Sequence, residues 1–449
     1  MTALAWRSLR ARGPAFAATA LSVLLGTAVL LAFLSLLETG LADGVGAPDR
    51  ETLVTMALVV GGWGLVIVVF SIASMLGLTV RRRAEEFALL RTLGTSRRQV
   101  RRLVAAEVGL VTAASAVAGV LPGWLLGRLV VALLHRGDVV ADTVAHRTGW
   151  LSVSLALGEV LVAALLAGAL AARQATRGSA QEGLTASRVH RARLGRWRIA
   201  GGALLLLAGA TCSVLALTVR DSADPYAAMS FAGPASVFWS IGLAVFAPVL
   251  LRLTAAALAP LLRAVPGGVA GHLAAAHTRR RAHELAGVLS PVLVFVGVAT
   301  GTLYLMQVHN AAVPVRTPEG DTVELLNYLV VGMLAAFAAI MVVNGTLAAV
   351  ADRRREFAQQ RLAGVTRGEL TTTVAAEAAV LVLTALLFGG LAALGTVVPY
   401  SVVKTDGWLA GDGPGLFLGV AAVAVLVTVG TAVAATRRVT AGPALRAAR

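Results

Sequence analysis

Side chains able to do chemistry are scarce in this sequence, and they gather in two arginine-rich segments. The first, RRRAEEFALLRTLGTSRRQVRRLVAAE, runs from Arg81 to Glu107, and the second, ADRRREFAQQRLAGVTRGELTTTVAAE, runs from Ala351 to Glu377. At a constant offset of 270 positions and without gaps, Arg83, Glu86, Phe87, Arg91 and Gly94 meet Arg353, Glu356, Phe357, Arg361 and Gly364. Glu107 meets Glu377 at the far end of the match. What such residues offer is fixed charge on a fixed shape, which suits recognition of another surface better than bond making. Catalytic patterns are missing elsewhere. A Walker A loop needs a lysine preceded by glycine, and the single lysine, Lys404, follows Val403 in an expected outer loop. His283-Glu284 is followed by Leu-Ala-Gly, so no H-E-x-x-H zinc motif forms. The seven histidines stand singly and read as polar residues in or beside loops. Cys212 is the only cysteine, which rules out an internal disulfide and a cysteine metal site.

The elements that must position these residues can be derived. Arg83 to Leu93 reads as a short helix with Phe87 and Leu90 on one face and charges on the other. Gly94 stands where a left-handed residue would end it. Ser96 and Gln99 have the spacing of a capping box, a hydroxyl at the N-cap and an amide three residues on, and Thr366 with Glu369 repeats it behind Gly364. Each copy is therefore expected to be an elbow: helix, glycine turn, then a capped helix that continues into an apolar span.

The chain around the elbows is 57% hydrophobic and 14% charged, with a mean hydropathy of +0.81. That composition predicts an all-α polytopic membrane protein. Ten apolar runs are long enough to span, at about 14–37, 53–80, 103–133, 151–172, 199–219, 235–262, 285–308, 328–350, 371–399 and 416–436. The first is read as a retained signal anchor. Thirty-one of the 39 basic residues fall in alternate connections (1–13, 81–102, 173–198, 263–284, 351–370 and 437–449). The positive-inside rule then places both termini and both elbows in the cytoplasm. The net charge of +16 is explained by that rule and by anionic lipid headgroups, so no nucleic-acid partner is implied. Spans one to four and seven to ten form a parallel duplication joined by spans five and six, giving units 1–172 and 263–449 with a connecting region 173–262. Ala5 to Arg10 weakly resembles Ala276 to Arg281 ahead of span seven.

Single residues are read by their setting. Glu107 and Glu377 stand at the inner ends of spans three and nine, where Arg101 and Arg102 are the nearest partners in the first copy. Arg128 and Arg252 can snorkel from apolar runs. Pro122, Pro248 and Pro291 should kink their helices. The glycines, such as Gly61-Gly62 and Gly389-Gly390, permit close helix approach. Gln307 and Asn344 are expected to seek partners on neighbouring helices.

The first elbow, R-R-x-E-F-A-L-L-R-x-L-G-T-S-R-R-Q between the second and third spans, resembles the FtsX-like, MacB-type permeases of ABC transporters. The resemblance covers essentially the whole chain, and the ten-span layout is similar to the bacitracin-efflux branch. It implies an export permease for an amphipathic, lipid-like or antimicrobial compound in the bacterial inner membrane, with ATP and Mg bound by a separate ATPase subunit in two copies. It also implies that the loop between spans two and three is a coupling helix. Arg83, Glu86, Phe87, Arg91 and Gly94, with Arg353, Glu356, Phe357, Arg361 and Gly364, fall on that element. The chain lacks the large extracellular domain of that branch, having only His309 to Asn327 between spans seven and eight. Two alternatives have a different character: a device that transmits ATPase cycles to an envelope partner without moving cargo, and an ion-driven transporter, which the lack of acidic residues in the spans disfavours.

Overall fold

In lipid every backbone polar group has to be satisfied within the protein, so an apolar chain of this kind folds as helices. A computed structural model describes residues 13–175, 195–220, 227–264, 268–313, 318–408 and 413–442, and its regular elements are all helical. The basic stretch 1–12, most of the 173–198 connection, Arg316 and the terminal Arg446 and Arg449 lie outside the described residues. Among the described residues, ten helices are long and apolar enough to cross a membrane, as the sequence predicts for an all-α polytopic protein. The chain divides into two compact units, Met1–Arg191 with Thr317–Met333, and Ala192–Arg316 with Leu334–Arg449.

The first unit contains α1 (Gly13–Gly40), α2 (Ala47–Arg82), α3 (Ala84–Thr92), α4 (Arg97–Arg136) and α5 (Trp150–Ala175). Its most extensive pairing is α1 on α4. Gly119, Gly123 and Gly127 recur every fourth residue along α4, and a Cβ built at Gly119 would lie 2.6 Å from the Leu24 carbonyl oxygen. One built at Gly123 would lie 3.0 Å from the Ala28 backbone. The helices approach this closely because no side chain stands between them. At the other end of α1, the Glu38 carboxylate accepts from the backbone N–H groups of Gly149 (2.9 Å) and Ser152 (3.1 Å). One helix thus supplies the N-terminal cap of another. His146 lies 3.0 Å from the Ser35 hydroxyl, and Thr39 accepts from the Arg147 N–H at 3.0 Å, so the 137–149 connection is stitched to α1.

The second unit contains α6 (Arg196–Thr218), α7 (Ala227–Val245), α8 (Ala247–Ala264), α9 (Gly268–Arg280) and α10 (Ala282–Ala312). After α11 (Pro318–Asp352), which begins in the first unit, come α12 (Arg354–Leu362), α13 (Arg367–Thr405) and α14 (Gly415–Thr440). Helix α10 is the most deeply buried span, set against α13 and α7. Helices α6 and α7, read from the sequence as a connecting pair, pack within this unit against α13. The sixth span is not 235–262 as expected. It is Ala227–Val245, and the chain turns at Phe246 before the separate α8.

Pro248 is the reason for that break. It has no N–H to give to the Ala244 carbonyl four residues back, and that carbonyl lies 3.2 Å from the Ser290 hydroxyl of α10. The same device recurs at Pro399 in α13. The Gly395 carbonyl it deprives lies 2.8 Å from the Ser213 hydroxyl of α6, which also accepts from the Trp239 indole N–H at 3.2 Å. Each serine also reaches a carbonyl of its own turn, Ala286 at 2.8 Å and Gly209 at 2.9 Å, so its proton is shared. Pro122 and Pro291, like Pro399, lie inside continuous helices. Asn344 donates to Ile340 in its own helix at 2.8 Å and not to a neighbour. His309, expected near the surface, is 3% exposed and lies 3.1 Å from the Tyr400 hydroxyl.

The α1–α4 contact makes a direct prediction. Gly119→Ala should cost about 1–3 kcal/mol, because the obstructing atom is backbone and cannot rotate away. Gly62→Ala, where a Cβ meets nothing within 4 Å, should be neutral or stabilising. Thermal unfolding of both variants in one detergent measures the contrast; equal melting temperatures would refute it.

Candidate functional site

Each elbow is built by strictly local signals. Helix α3 ends in a Schellman turn: the Thr95 N–H donates to the Leu90 carbonyl and the Gly94 N–H to the Arg91 carbonyl, both at 3.1 Å. Gly94 has φ +95°, a left-handed conformation in which a side chain is strained. Helix α4 then starts at a complete capping box, the Gln99 N–H donating to Ser96 Oγ (3.2 Å) and the Ser96 N–H to Gln99 Oε1 (2.7 Å). The second elbow repeats every part. Val365 donates to Gln360 (3.0 Å), Gly364 has φ +99°, and Thr366 and Glu369 close the box at 3.2 and 2.8 Å. The expected helix, glycine turn and capped helix are all present.

A buried arginine ties each elbow to its unit. Arg83 occupies the joint between α2 and α3, and its guanidinium donates through Nη1 and Nη2 to the Glu107 carboxylate of α4, and through Nε to Glu86 at 3.2 Å. It also lies over the Phe87 ring, 5.1 Å from the centroid. Arg353 does the same in the second unit. It donates to Glu377 of α13 at 2.6 Å and to Glu356 at 3.3 and 3.4 Å, and lies 4.8 Å from the centre of the Phe357 ring. Glu107 is 1% exposed and Glu377 6%, and a carboxylate so buried requires a counter-charge. Burial works against the charge on Arg353, but Glu377 and Glu356 outweigh it and hold the guanidinium above its usual value. The balance is the same for Arg83 with Glu107 and Glu86.

The second clasp has two further members. His277 of α9 places Nδ1 3.0 Å from Glu377 and 3.3 Å from Arg353 Nη2. Arg281, at the joint of α9 and α10, donates to Glu356 at 2.6 Å. Beyond the clasp, Arg281, Glu284, Arg353 and Glu377 form the charged wall of a cleft whose apolar side includes Leu285, Val288 and Leu381. Arg361 donates to the Thr440 (3.0 Å) and Gly442 (2.8 Å) carbonyls and Arg367 to Ala441 (3.1 Å), so elbow arginines cap the end of α14.

Of the residues singled out in the sequence, Arg83, Glu86 and Phe87 come together, as do Arg353, Glu356 and Phe357. Arg91 and Gly94, with Arg361 and Gly364, form the turn end of the elbow. The partner expected for Glu107 is corrected. Arg101 and Arg102 lie six and five residues earlier on the same straight helix, spacings that do not share a face with position 107. Arg83 arrives instead from a separate helix end. His277 and Arg281 were missed, and the only sequence signal for them is the weak likeness of 276–281 to 5–10.

Arg353→Gln leaves Glu377 buried without its main counter-charge and should cost about 3–5 kcal/mol. Arg281→Gln acts on a pair about one-third exposed and should cost at most about 1 kcal/mol. Melting temperatures of the purified variants test the order, and an Arg353→Gln protein as stable as the parent would sink the clasp. Burial pushes the Glu356 carboxyl up, but Arg353, Arg281 and His277 together hold it below its ordinary 4.5. Its stabilisation is therefore complete above pH 4.5 and is lost as the pH falls through the folded value. Glu356→Gln should flatten the fall of melting temperature on acidification below that pH.

A comparison with curated proteins gives no match. A family profile, that of the FtsX-like permease C-terminal domain, matches twice, over residues 58–180 and 328–444. The two matches begin 270 positions apart, the offset of the elbows, and together they span more than half of the chain. With both elbows inside the matched segments, the chain belongs to the FtsX-like permease family, membrane components of ABC systems that generally lack an ATPase site and work with a separate ATPase.

Proposed function

We propose that this protein is the permease subunit of a MacB-type exporter of the bacterial inner membrane, close to the bacitracin-efflux branch, working as a single-chain pseudo-dimer with both termini in the cytoplasm. Two copies of a separate ATPase, which bind ATP and Mg, dock beneath the elbows at 81–102 and 351–370. Their closure on ATP moves the two four-helix units, which expel an amphipathic, lipid-like or antimicrobial molecule taken laterally from the bilayer.

The observation that supports this reading is the duplicated elbow. A left-handed glycine, a closed capping box and a buried arginine–carboxylate clasp recur together in both units. A basic loop that merely joins two spans has no need of a specified turn, and still less of the same one twice. The clasp joins the elbow to the N-terminal turns of α4 and α13, helices of 40 and 39 residues that extend to about 60 Å. A displacement of the elbow is thereby delivered to the helices that line each unit.

The test is a mild-detergent purification from native membranes. A Walker-motif ATPase should co-purify with the parent chain and be lost when Glu86 and Glu356 are both replaced by lysine. Gly94→Val should leave the chain folded yet abolish stimulation of ATP hydrolysis by cargo. Transport by these variants at the parent rate would overturn the role of the elbows. An ATPase cycle that activates an envelope enzyme without cargo release would point to signal transmission instead.

A further inference from the structure

The two elbows share one backbone and one pattern of exposure. From Phe87 to Leu103 and from Phe357 to Thr373, each position falls in the same burial class as its counterpart. The chemistry presented at the exposed positions differs. The first elbow shows Leu89 and Leu93, exposed by 53% and 83%, together with Arg98 and Arg102. The second shows Gln359, Ala363, Gly368 and Thr372 at those places. Over positions 89–102 the first carries five arginines and no acid, a charge of +5. Over 359–372 the second carries two arginines and one glutamate, a charge of +1.

We infer that the two elbows are unequal docking sites: the first holds the ATPase through an apolar socket ringed by acidic side chains, and the second fits by shape with little affinity of its own. The inference rests on the docking role proposed above. Two exposed leucines offer apolar area to bury on docking, and the arginines beside them are of the type enriched where truncation costs an interface most. An arginine-rich face that includes Arg98 and Arg102 selects an acidic counterpart and gives an interaction that weakens with salt. A bilayer surface is the less fitting occupant. It would reward an amphipathic face without needing a specified turn, yet the second elbow keeps the turn and has lost the face.

Transplanting the face tests this. One variant gives the first elbow the residues of the second (Leu89→Gln, Leu93→Ala, Arg98→Gly, Arg102→Thr). A second variant adds the reverse exchange (Gln359→Leu, Ala363→Leu, Gly368→Arg, Thr372→Arg), and a control removes the exposed leucine of the second elbow (Leu362→Thr). All the positions are exposed, and melting curves verify folding. In about 0.15 M salt, the first variant should retain about tenfold less ATPase than the parent on co-purification, the control should change retention by less than about twofold, and the added exchange should restore most of the loss. Equal losses on altering either elbow would overturn the inequality while leaving docking intact. Unchanged ATPase retention with lost binding to phosphatidylglycerol vesicles would assign the face to the membrane and overturn it as well. A parent chain that retains no ATPase would defeat the docking role and this inference together.

Discussion

A carboxylate shut away from water must be met by a counter-charge, and the geometry of both halves of the protein follows from how Glu107 and Glu377 are met. Neither draws on its own helix. Each takes the guanidinium of an arginine at the joint between two other helices, and that arginine also reaches a glutamate one turn into the short helix and lies over its phenylalanine. Three helix ends are fixed to one another by a single planar group. A lysine would not reproduce this geometry, because its ammonium is a point charge without the planar fork that grips a carboxylate through two donors while lying over the ring. The angle of the elbow is thus set from inside, and its outer face is left open to vary.

A second constraint acts away from the elbows, where the surroundings are apolar. There helix contacts depend on close approach and on leaving no backbone group unsatisfied. The glycines of α4 serve the first need against α1, and Ser213 and Ser290 serve the second where prolines interrupt the ladders of α13 and of the α7–α8 segment. The two constraints divide the molecule by chemistry: strong fixed charges at the elbows, small residues and single hydroxyls along the spans.

What the sequence disclosed followed the range of each interaction. The glycine turn and the capping box depend on residues at most five apart, and Gly94, Ser96 and Gln99 with their second-copy counterparts were legible as structure. The spans were legible because apolar length is a local property, and the repeat because it is written twice. The partner of Glu107 was not legible, since Arg83 is 24 positions away and reaches it only after the chain has folded back. His277, a full 100 positions from Glu377, was further out of reach. The span at 235–262 failed for a related reason. Pro248 reads as a point of bending, but no local signal separates it from Pro399, which leaves its helix continuous although both freed carbonyls meet serines of other helices. His309 reads as a loop residue because it closes an apolar run, and its burial beside Tyr400 arises only once the chain is folded.

The serine–proline joints have a consequence for how such a sequence can change over generations. Ser213 bonds within its own turn whether or not a proline faces it, so the serine can stand before the proline does. Ser290 has the same freedom beside Pro248. The easier order of change is therefore serine first and proline second, since the opposite order passes through a form whose freed carbonyl lacks its cross-helix donor.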